Sequence, residues 1–325
     1  MKLSRRTSLR LAAGAAALPV TSRMARAQTY PTRPVRIVVG FPPGGGVDIT
    51  ARLIGQWLSE RFGQPFIIEN RPGAGSNIAT EAVVRAPADG YTLLLVGAFN
   101  AVNATLYDKL NFNFIRDVAP VATIYYAPNV MAVHPSFPAK TILEFIAYSK
   151  SNPGKVNMGS GTPGAAMHMS GELFKIMAGI DMVPVPYRGA GPALTDLLAG
   201  QVQVSFPTMP ASIEHIRTGK LRALAVTTAK RSEALPGIPT VGEFLPGYEA
   251  SNWYGVGIPK NTPAEIIDKL NKEINAGLAD PKIKARLADF GGTPLVGSPA
   301  DFGKLIADET ERWGKVVRAA NIQPD

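Results

Sequence analysis

The stretch Val35-Arg36-Ile37-Val38-Val39-Gly40-Phe41-Pro42-Pro43-Gly44-Gly45-Gly46-Val47-Asp48-Ile49-Thr50-Ala51-Arg52-Leu53-Ile54-Gly55-Gln56-Trp57-Leu58 decides the fold. Its first five residues are rich in β-branched side chains and read as a buried strand. Ile49, Leu53, Ile54, Trp57, Leu58 and Phe62 recur at helical spacing, so a helix follows. Two prolines and three consecutive glycines lie between. Glycine lets backbone N–H groups approach a ligand closely, and a helix N-terminus adds free N–H donors and a partial positive charge. Strand, glycine loop and helix together make an anion site. Capture of a small anion, a carboxylate above all, is one reading; a tight turn with no ligand is the other.

Strands and helices alternate outward from this unit. Pro65–Glu69 reads as a second strand, followed by a second glycine-rich loop, Asn70-Arg71-Pro72-Gly73-Ala74-Gly75-Ser76-Asn77, and a helix to Val84. Tyr91–Val96 reads as a third strand. Such alternation implies a parallel sheet covered by helices, with ligands outside the carboxyl ends of its strands. Further on, Val118–Ile124, Val130–His134, Val156–Met158, Val183–Pro186, Gln201–Phe206, Leu221–Thr227 and Trp253–Ile258 read as strands. Gly159-Ser160-Gly161-Thr162-Pro163-Gly164 is a third glycine-rich loop, with a helix over Ala165–Ala178 after it. Thr141…Glu144 and Thr262…Glu265 have capping-box spacing, Ser298…Asp301 repeats that logic with Asp in the fourth place, and Asp280-Pro281 starts a helix. Phe41…Gly46 and Tyr187…Gly191 share a design of aromatic residue, glycine loop and helix. Two α/β lobes facing one another follow from this pattern. A hydrogen bond to a charged group contributes roughly 1.5–3 kcal/mol and association costs about 4–15 kcal/mol, so one loop alone holds an anion poorly.

The 325 residues suffice for one large or two ordinary domains. No cysteine is present, so disulfide and thiol chemistry are excluded. Residues 1–27 read as an export signal: Lys2, Arg5, Arg6 and Arg10, then the apolar run Leu11–Val20, then Ala25-Arg26-Ala27 for cleavage after Ala27. The run is too short for a membrane span. Ser4-Arg5-Arg6 leaves Sec and Tat export both open. The signal holds six basic residues and no acid, so the net +9 becomes 9 − 6 = +3 in the exported chain, which is too little to imply a nucleic-acid partner. Periplasmic localisation is expected.

Catalytic signatures are sparse. His134, His168 and His215 have no metal-site spacing, and neither a G-x-S-x-G elbow nor a P-loop occurs. Gly159-x-Gly161-x-x-Gly164 matches a dinucleotide fingerprint as a bare pattern, but Pro163 removes a backbone donor from it. No cofactor, no metal site and no catalytic residue are therefore expected. His168 either touches an anion or pairs with Glu172 four residues on. Asp48 either fixes a ligand group or complements the helix dipole. Tyr187 either packs over a ligand or belongs to the core. Trp253-Tyr254 reads as core or lobe interface.

Several separate motifs resemble one family. Phe41–Asp48, Glu69-Asn70-Arg71-Pro72-Gly73-Ala74-Gly75, Asn152-Pro153-Gly154-Lys155, Gly171-Glu172-Leu173-Phe174 and Val185-Pro186-Tyr187-Arg188-Gly189 are similar to the Bug proteins, the TctC-like solute receptors of tripartite tricarboxylate transporters. The resemblance runs from about Tyr30 to the C-terminus. It implies an α/β, two-lobed periplasmic binding fold (type II, Venus-flytrap), with two interlobe crossover strands and a ligand cleft between the lobes. It places lobe 1 at 28–123 plus 228–325 and lobe 2 at 124–227. It implies that the ligand carboxylate is gripped by Phe41, Gly44, Gly45, Gly46, Asp48, Ala98 and Asn103 of the first lobe and by Ser160, Gly161, Gly164, His168, Tyr187, Gly189 and Thr208 of the second. The implied partners are a small-molecule carboxylate and the small and large membrane subunits of the transporter, with a monomeric receptor. Many relatives carry an acid where Pro207 stands here, an acid able to pair with a ligand ammonium. The expected ligand is therefore a di- or tricarboxylate or an aromatic acid. Alternatives from other classes are an exported sensor docking on a signalling protein, and an exported enzyme using Asp48 and His168 as an acid–base pair.

Overall fold

The structure is a computed structural model that describes residues 30–107, 109–319 and 321–324. The export-signal expectation, residues 1–27, lies outside them. The first half-sheet is laid down by β1 (Val35–Val39), β2 (Phe66–Asn70) and β3 (Thr92–Gly97). Between and after them come α1 (Gly46–Phe62), α2 (Asn77–Val84), α3 (Ala98–Leu106) and the single turn α4 (Phe114–Asp117). β4 (Val118–Ala127) closes this part. A second sheet follows from β5 (Val130–Val133), α5 (Ile142–Ser151), β6 (Asn157–Ser160), α6 (Ala166–Ala178), β7 (Val183–Pro186), α7 (Ala190–Leu198), β8 (Val204–Ser205), α8 (Met209–Arg217) and β9 (Arg222–Val226). The chain then returns to the first sheet with β10 (Asn252–Pro259), α9 (Ala264–Ala279), α10 (Pro281–Asp289), β11 (Thr293–Pro294) and α11 (Pro299–Ala319).

The first sheet has the order β11-β4-β10-β3-β1-β2 and the second β7-β6-β8-β5-β9. β1 pairs in parallel with β2 and β3, and β6 in parallel with β7 and β8. In each sheet the strand that follows an interlobe crossing, β10 or β5, inserts antiparallel between its neighbours. The two lobes thus repeat one topology, although the spacing of their motifs differs. This is the two-lobed binding-protein architecture, with crossings at β4–β5 and β9–β10.

Strand alternation places the core. Val35, Ile37 and Val39 face one way and meet Ala51, Ile54 and Leu58 of α1 and Ile274 and Leu278 of α9. Val38, Leu94 and Val96 face the other way, onto Ala79 and Val83 of α2 and Phe302 and Ile306 of α11. Both faces are covered, as the near-continuous apolar composition of β1 and β3 demands. α11 reaches further: its Trp313 and Val317 join the core formed by Met131, Met158, Phe174 and Phe206 of the second sheet. One helix therefore packs into both lobes.

The crossings are tied to each other. Asn129 N–H donates to Thr227 Oγ1 at 3.0 Å, and Thr227 N–H donates to the Asn129 carbonyl at 3.0 Å. Thr227 Oγ1 also reaches the Ala250 carbonyl at 3.0 Å.

Two local expectations are corrected. Gln201–Phe206 forms a strand only at Val204–Ser205, because residue 201 closes the turn after α7 through a bond from its N–H to the Asp196 carbonyl. Thr262 does not cap α9: Pro263 occupies the cap position, and the Thr262 hydroxyl donates to the Pro259 carbonyl at 2.8 Å instead. The Ser298–Asp301 box and the Asp280 cap form as read from the sequence.

Candidate functional site

The βα loops of both sheets leave the carboxyl ends of their strands and meet across one cleft. The β1–α1 loop brings Phe41, Pro42, Gly45, Gly46 and Val47, and α3 brings Phe99. Opposite lie Gly161 and Ala165 before α6, Ala166 and Met167 in its first turn, Gly189 and Ala190 at the start of α7, and Thr208 capping α8. Asn252 and Tyr254 of β10 form the floor. Counted to its open mouth the cleft holds about 510 Å³. None of these fifteen lining residues is charged.

The lobes nearly touch at two points. A Cβ added to Gly46 would lie 2.4 Å from Thr208 Oγ1 and 2.9 Å from Tyr254 Oη. A Cβ added to Gly189 would lie 3.1 Å from Pro42 Cδ. Only a bare backbone permits this approach. Phe41 and Phe99 pack edge to face, with centroids 4.7 Å apart, and make the apolar wall.

The polar groups facing this gap are neutral. Gly46 is the first residue of α1, so the N–H groups of the first turn have no intrahelical partner and carry the positive end of the helix dipole. Thr208 Oγ1 and Tyr254 Oη are buried and complete no hydrogen bond of ordinary geometry among the described residues. Burial, reinforced by neighbouring Tyr125, pushes the Tyr254 hydroxyl well above its usual range, so it stays protonated and able to donate. N–H donors, two hydroxyls and an apolar wall suit an anionic head on a carbon chain.

Asp48 holds the loop from behind. Its carboxylate accepts from Gly44 N–H at 3.0 Å, from Arg52 Nε and Nη2 at 2.9 Å each, and from Asn70 Nδ2 at 3.0 Å. Burial alone would raise its pKa, but Arg52, Gly44 and Asn70 together hold it below the usual carboxylate range. Asn70 Nδ2 also reaches the Phe41 carbonyl at 2.9 Å. The loop is thus fixed at both ends before any ligand arrives.

Of the sequence-named residues, Phe41, Gly45, Gly46, Gly161, Gly189 and Thr208 line the cleft. Gly44 is exposed at the loop's outer side with φ +85°. Asp48 is buried behind the loop. Ala98 and Gly164 line a smaller adjacent cavity with Ser170, Ser251 and Trp313. Asn103 bonds to the Gly75 carbonyl and to Asn77. Ser160 Oγ bonds to the Gly161 carbonyl. His168 Nδ1 accepts from Gly164 N–H at 3.4 Å, while Glu172 ion-pairs with Lys175. Tyr187 Oη donates to Asp196 at 2.5 Å, and desolvation, reinforced by this contact, pushes its pKa up to about 12. Sequence reasoning missed Phe99, Met167, Asn252 and Tyr254 as cleft residues. The period-2 alternation of β10, which places residues 252 and 254 on one face, was the available signal. Among the described residues no cluster of His, Asp or Glu suits a metal ion, and no helix is long and apolar enough to cross a membrane.

Comparison with known proteins follows this geometry. Residues 50–322 match the family described as "Tripartite tricarboxylate transporter family receptor". Protein BugT of Bordetella pertussis is 39% identical over 295 residues, covering 90% of each chain. The R. palustris protein Rpa4515, solved with adipate, is 39% identical with a TM-score of 0.87, over 91% of this chain and 100% of that one. MatC of Rhodopseudomonas palustris, solved with bound malate, is 32% identical with a TM-score of 0.82, over 89% of this chain and 100% of that one.

Proposed function

This chain belongs to the tripartite tricarboxylate transporter receptor family, and from that premise we propose that it captures a small organic carboxylate outside the cytoplasm and delivers it to the transporter's small and large membrane subunits. The family consists of periplasmic solute-binding receptors rather than enzymes. The acid–base alternative built on Asp48 and His168 falls with that, since the Asp48 carboxylate is engaged by Arg52, Gly44 and Asn70.

One observation carries the reading. The free N–H end of α1 at Gly45–Gly46 points its donors at the gap where Thr208 and Tyr254 offer hydroxyls from the opposite lobe and the floor. A carboxylate there would be held by neutral groups only. Among the described residues no acid lines the cleft to receive a ligand ammonium, which favours a di- or tricarboxylate or an aromatic acid over an amino acid. The adipate and malate seen in the two R. palustris proteins belong to the first of these classes. In this reading Phe41, Gly45, Gly46, Gly161, Gly189 and Thr208 contact the ligand, and Gly44, Asp48, Ala98, Asn103, Ser160, Gly164, His168 and Tyr187 shape the loops that do so.

The same proposal divides the chain into lobe 1 at 28–123 plus 228–325 and lobe 2 at 124–227. All strands of the second sheet fall in the latter span, and β4 runs on within the first sheet to Ala127. Cleavage after Ala27 and a monomeric receptor complete it. Thermal-shift screening of a carboxylate library, followed by calorimetry, tests the proposal. A raised midpoint with di- or tricarboxylates or aromatic acids supports it; stabilisation by glutamate or aspartate alone contradicts it.

A further inference from the structure

A second, smaller cavity lies beside the hinge and holds about 220 Å³ counted to its mouth. Ala98 of α3 and Trp313 of α11 form one side of it. Ala166, Met169 and Ser170 form the other, and Ala250 of the second crossing closes it. The three α6 residues lie three and four apart, so they share one helix face.

The two sides are anchored to different bodies. Phe302 and Ile306 seat α11 in the core of the first sheet. Glu309, also on α11, accepts from Trp313 Nε1 at 3.0 Å and from Trp253 Nε1 of β10 at 3.1 Å. One carboxylate thus fixes the Trp313 indole to a strand of the first sheet. On the facing side, Asn129 Nδ2 of the first crossing donates to Ser170 Oγ at 2.9 Å, and Tyr248 Oη donates to the Ser170 carbonyl at 2.9 Å. α6 is therefore tied to the crossing segments, whereas Trp313 is tied to the first sheet. A rotation of the lobes about the crossings moves one side of the cavity against the other.

That movement reaches the cleft. Ala166 borders both the small cavity and the ligand cleft, so displacing α6 against Trp313 displaces a wall of the cleft. Just before α6 the lobes already abut: a Cβ on Gly164 would lie 2.8 Å from Leu106 Cδ2 of α3. Packed interiors yield little to gradual compression, so the space left at the hinge limits the rotation.

We propose that Trp313 is the closure stop of the hinge: the space between its indole and α6 sets how near the two lobes come across the cleft. Trp313 acts as a positioning residue, through α6 and Ala166, and touches no ligand. The inference concerns the spacing of the lobes and does not depend on which ligand the cleft takes.

Distances between nitroxide labels on Gln56→Cys and Ala199→Cys, read by double electron–electron resonance in the ligand-free protein, test this. Both positions are exposed, on α1 and at the end of α7, the two helices that start at facing edges of the cleft. The chain has no cysteine of its own, so only these two positions take label. Ala98→Leu crowds the cavity from α3 and moves the main distance outward. Adding Trp313→Phe restores room and brings the distance back towards that of the unsubstituted chain, because the two volume changes offset each other. A fault that merely loosened the fold would lower the melting point and would not be rescued. Ala98→Val, which adds less volume, gives a smaller outward shift if the leucine variant does not fold. An unchanged distance in a folded Ala98 variant, or an outward shift that Trp313→Phe leaves in place, would overturn the stop.

Discussion

Gly46 and Thr208, from opposite lobes, stand so close that a Cβ on the glycine would lie 2.4 Å from Thr208 Oγ1. The first turn of α1 therefore meets the cap of α8 across the cleft with no side chain between. In the proposed function ligand capture depends on this approach, because the donors of one lobe reach an anion held by the other only when the backbone itself is exposed.

Thr208 and Tyr254 carry buried hydroxyls that complete no hydrogen bond of ordinary geometry among the described residues. Replacing such groups by apolar ones of the same shape is nearly neutral for stability or raises it. Thr208→Val and Tyr254→Phe are expected to melt within about a degree of wild type or above it, and to bind the carboxylate about tenfold more weakly each. Calorimetry beside thermal melting reads the split. A fall in melting point with unchanged affinity would make these residues structural only.

Asp48 supports the loop without lining the cleft. Its folded-state pKa lies below that of the unfolded chain. Its stabilising contribution is thus complete above the unfolded value, about 3.9, and is lost as pH falls through the lower, folded value. Asp48→Asn should cost about 2 kcal/mol at neutral pH through the weakened bonds to Gly44 and Arg52. It should also flatten the acid limb of the stability profile. Urea unfolding between pH 2 and 7 measures both.

The legible part of the fold was its local grammar. Val35–Val39 followed by a glycine loop and the spacing of Ile49, Leu53 and Ile54 predicted β1, the loop and α1, because one short segment carries the whole pattern. Asp280-Pro281 and Ser298…Asp301 predicted helix starts for the same reason. From sequence Trp253-Tyr254 reads as core or lobe interface, and in the structure the Tyr254 ring is buried; its hydroxyl faces the cleft through the pairing of β10 with β3 and β4, a contact between distant segments. The cleft position of Phe99 depends equally on packing against Phe41. Asp48 was left between two roles, and Arg52, one helical turn away, settles its surroundings. The topological repeat of the two lobes was hidden, since β5 and β10 enter their sheets from opposite directions along the chain.

Glu309 is a buried carboxylate that accepts from two indoles: Trp253 Nε1 of β10 at 3.1 Å and Trp313 Nε1 at 3.0 Å. Arg312 pairs with it and also reaches the Glu249 carbonyl in the second crossing segment. Glu309→Ala leaves both indole N–H groups buried without an acceptor, at a cost of about 1–3 kcal/mol for each. A lower melting point and altered tryptophan emission are expected, whereas Glu309→Gln keeps one acceptor and recovers part of the loss. Equal melting of the two variants would contradict this role.

Thr227 ties the two crossings through Asn129 N–H and the Ala250 carbonyl. Thr227→Val removes both hydroxyl bonds at the hinge and leaves buried backbone groups unpaired, costing about 1–3 kcal/mol. Hydrogen exchange at the Asn129 amide, which donates to the Thr227 hydroxyl, is expected to rise locally. Unchanged protection there would show that the hinge is held by other contacts.

The central claim, that a side-chain-free backbone approach between lobes grips a carboxylate, is tested most directly by titrating adipate and malate into wild-type and Gly46→Ala protein in a calorimeter. Overpacking at such a contact costs about 1–3 kcal/mol, so at least one acid should bind wild type one-to-one and bind the variant roughly ten- to hundredfold more weakly at a temperature where both proteins are folded. Equal affinity of the two proteins for the acid would contradict the claim.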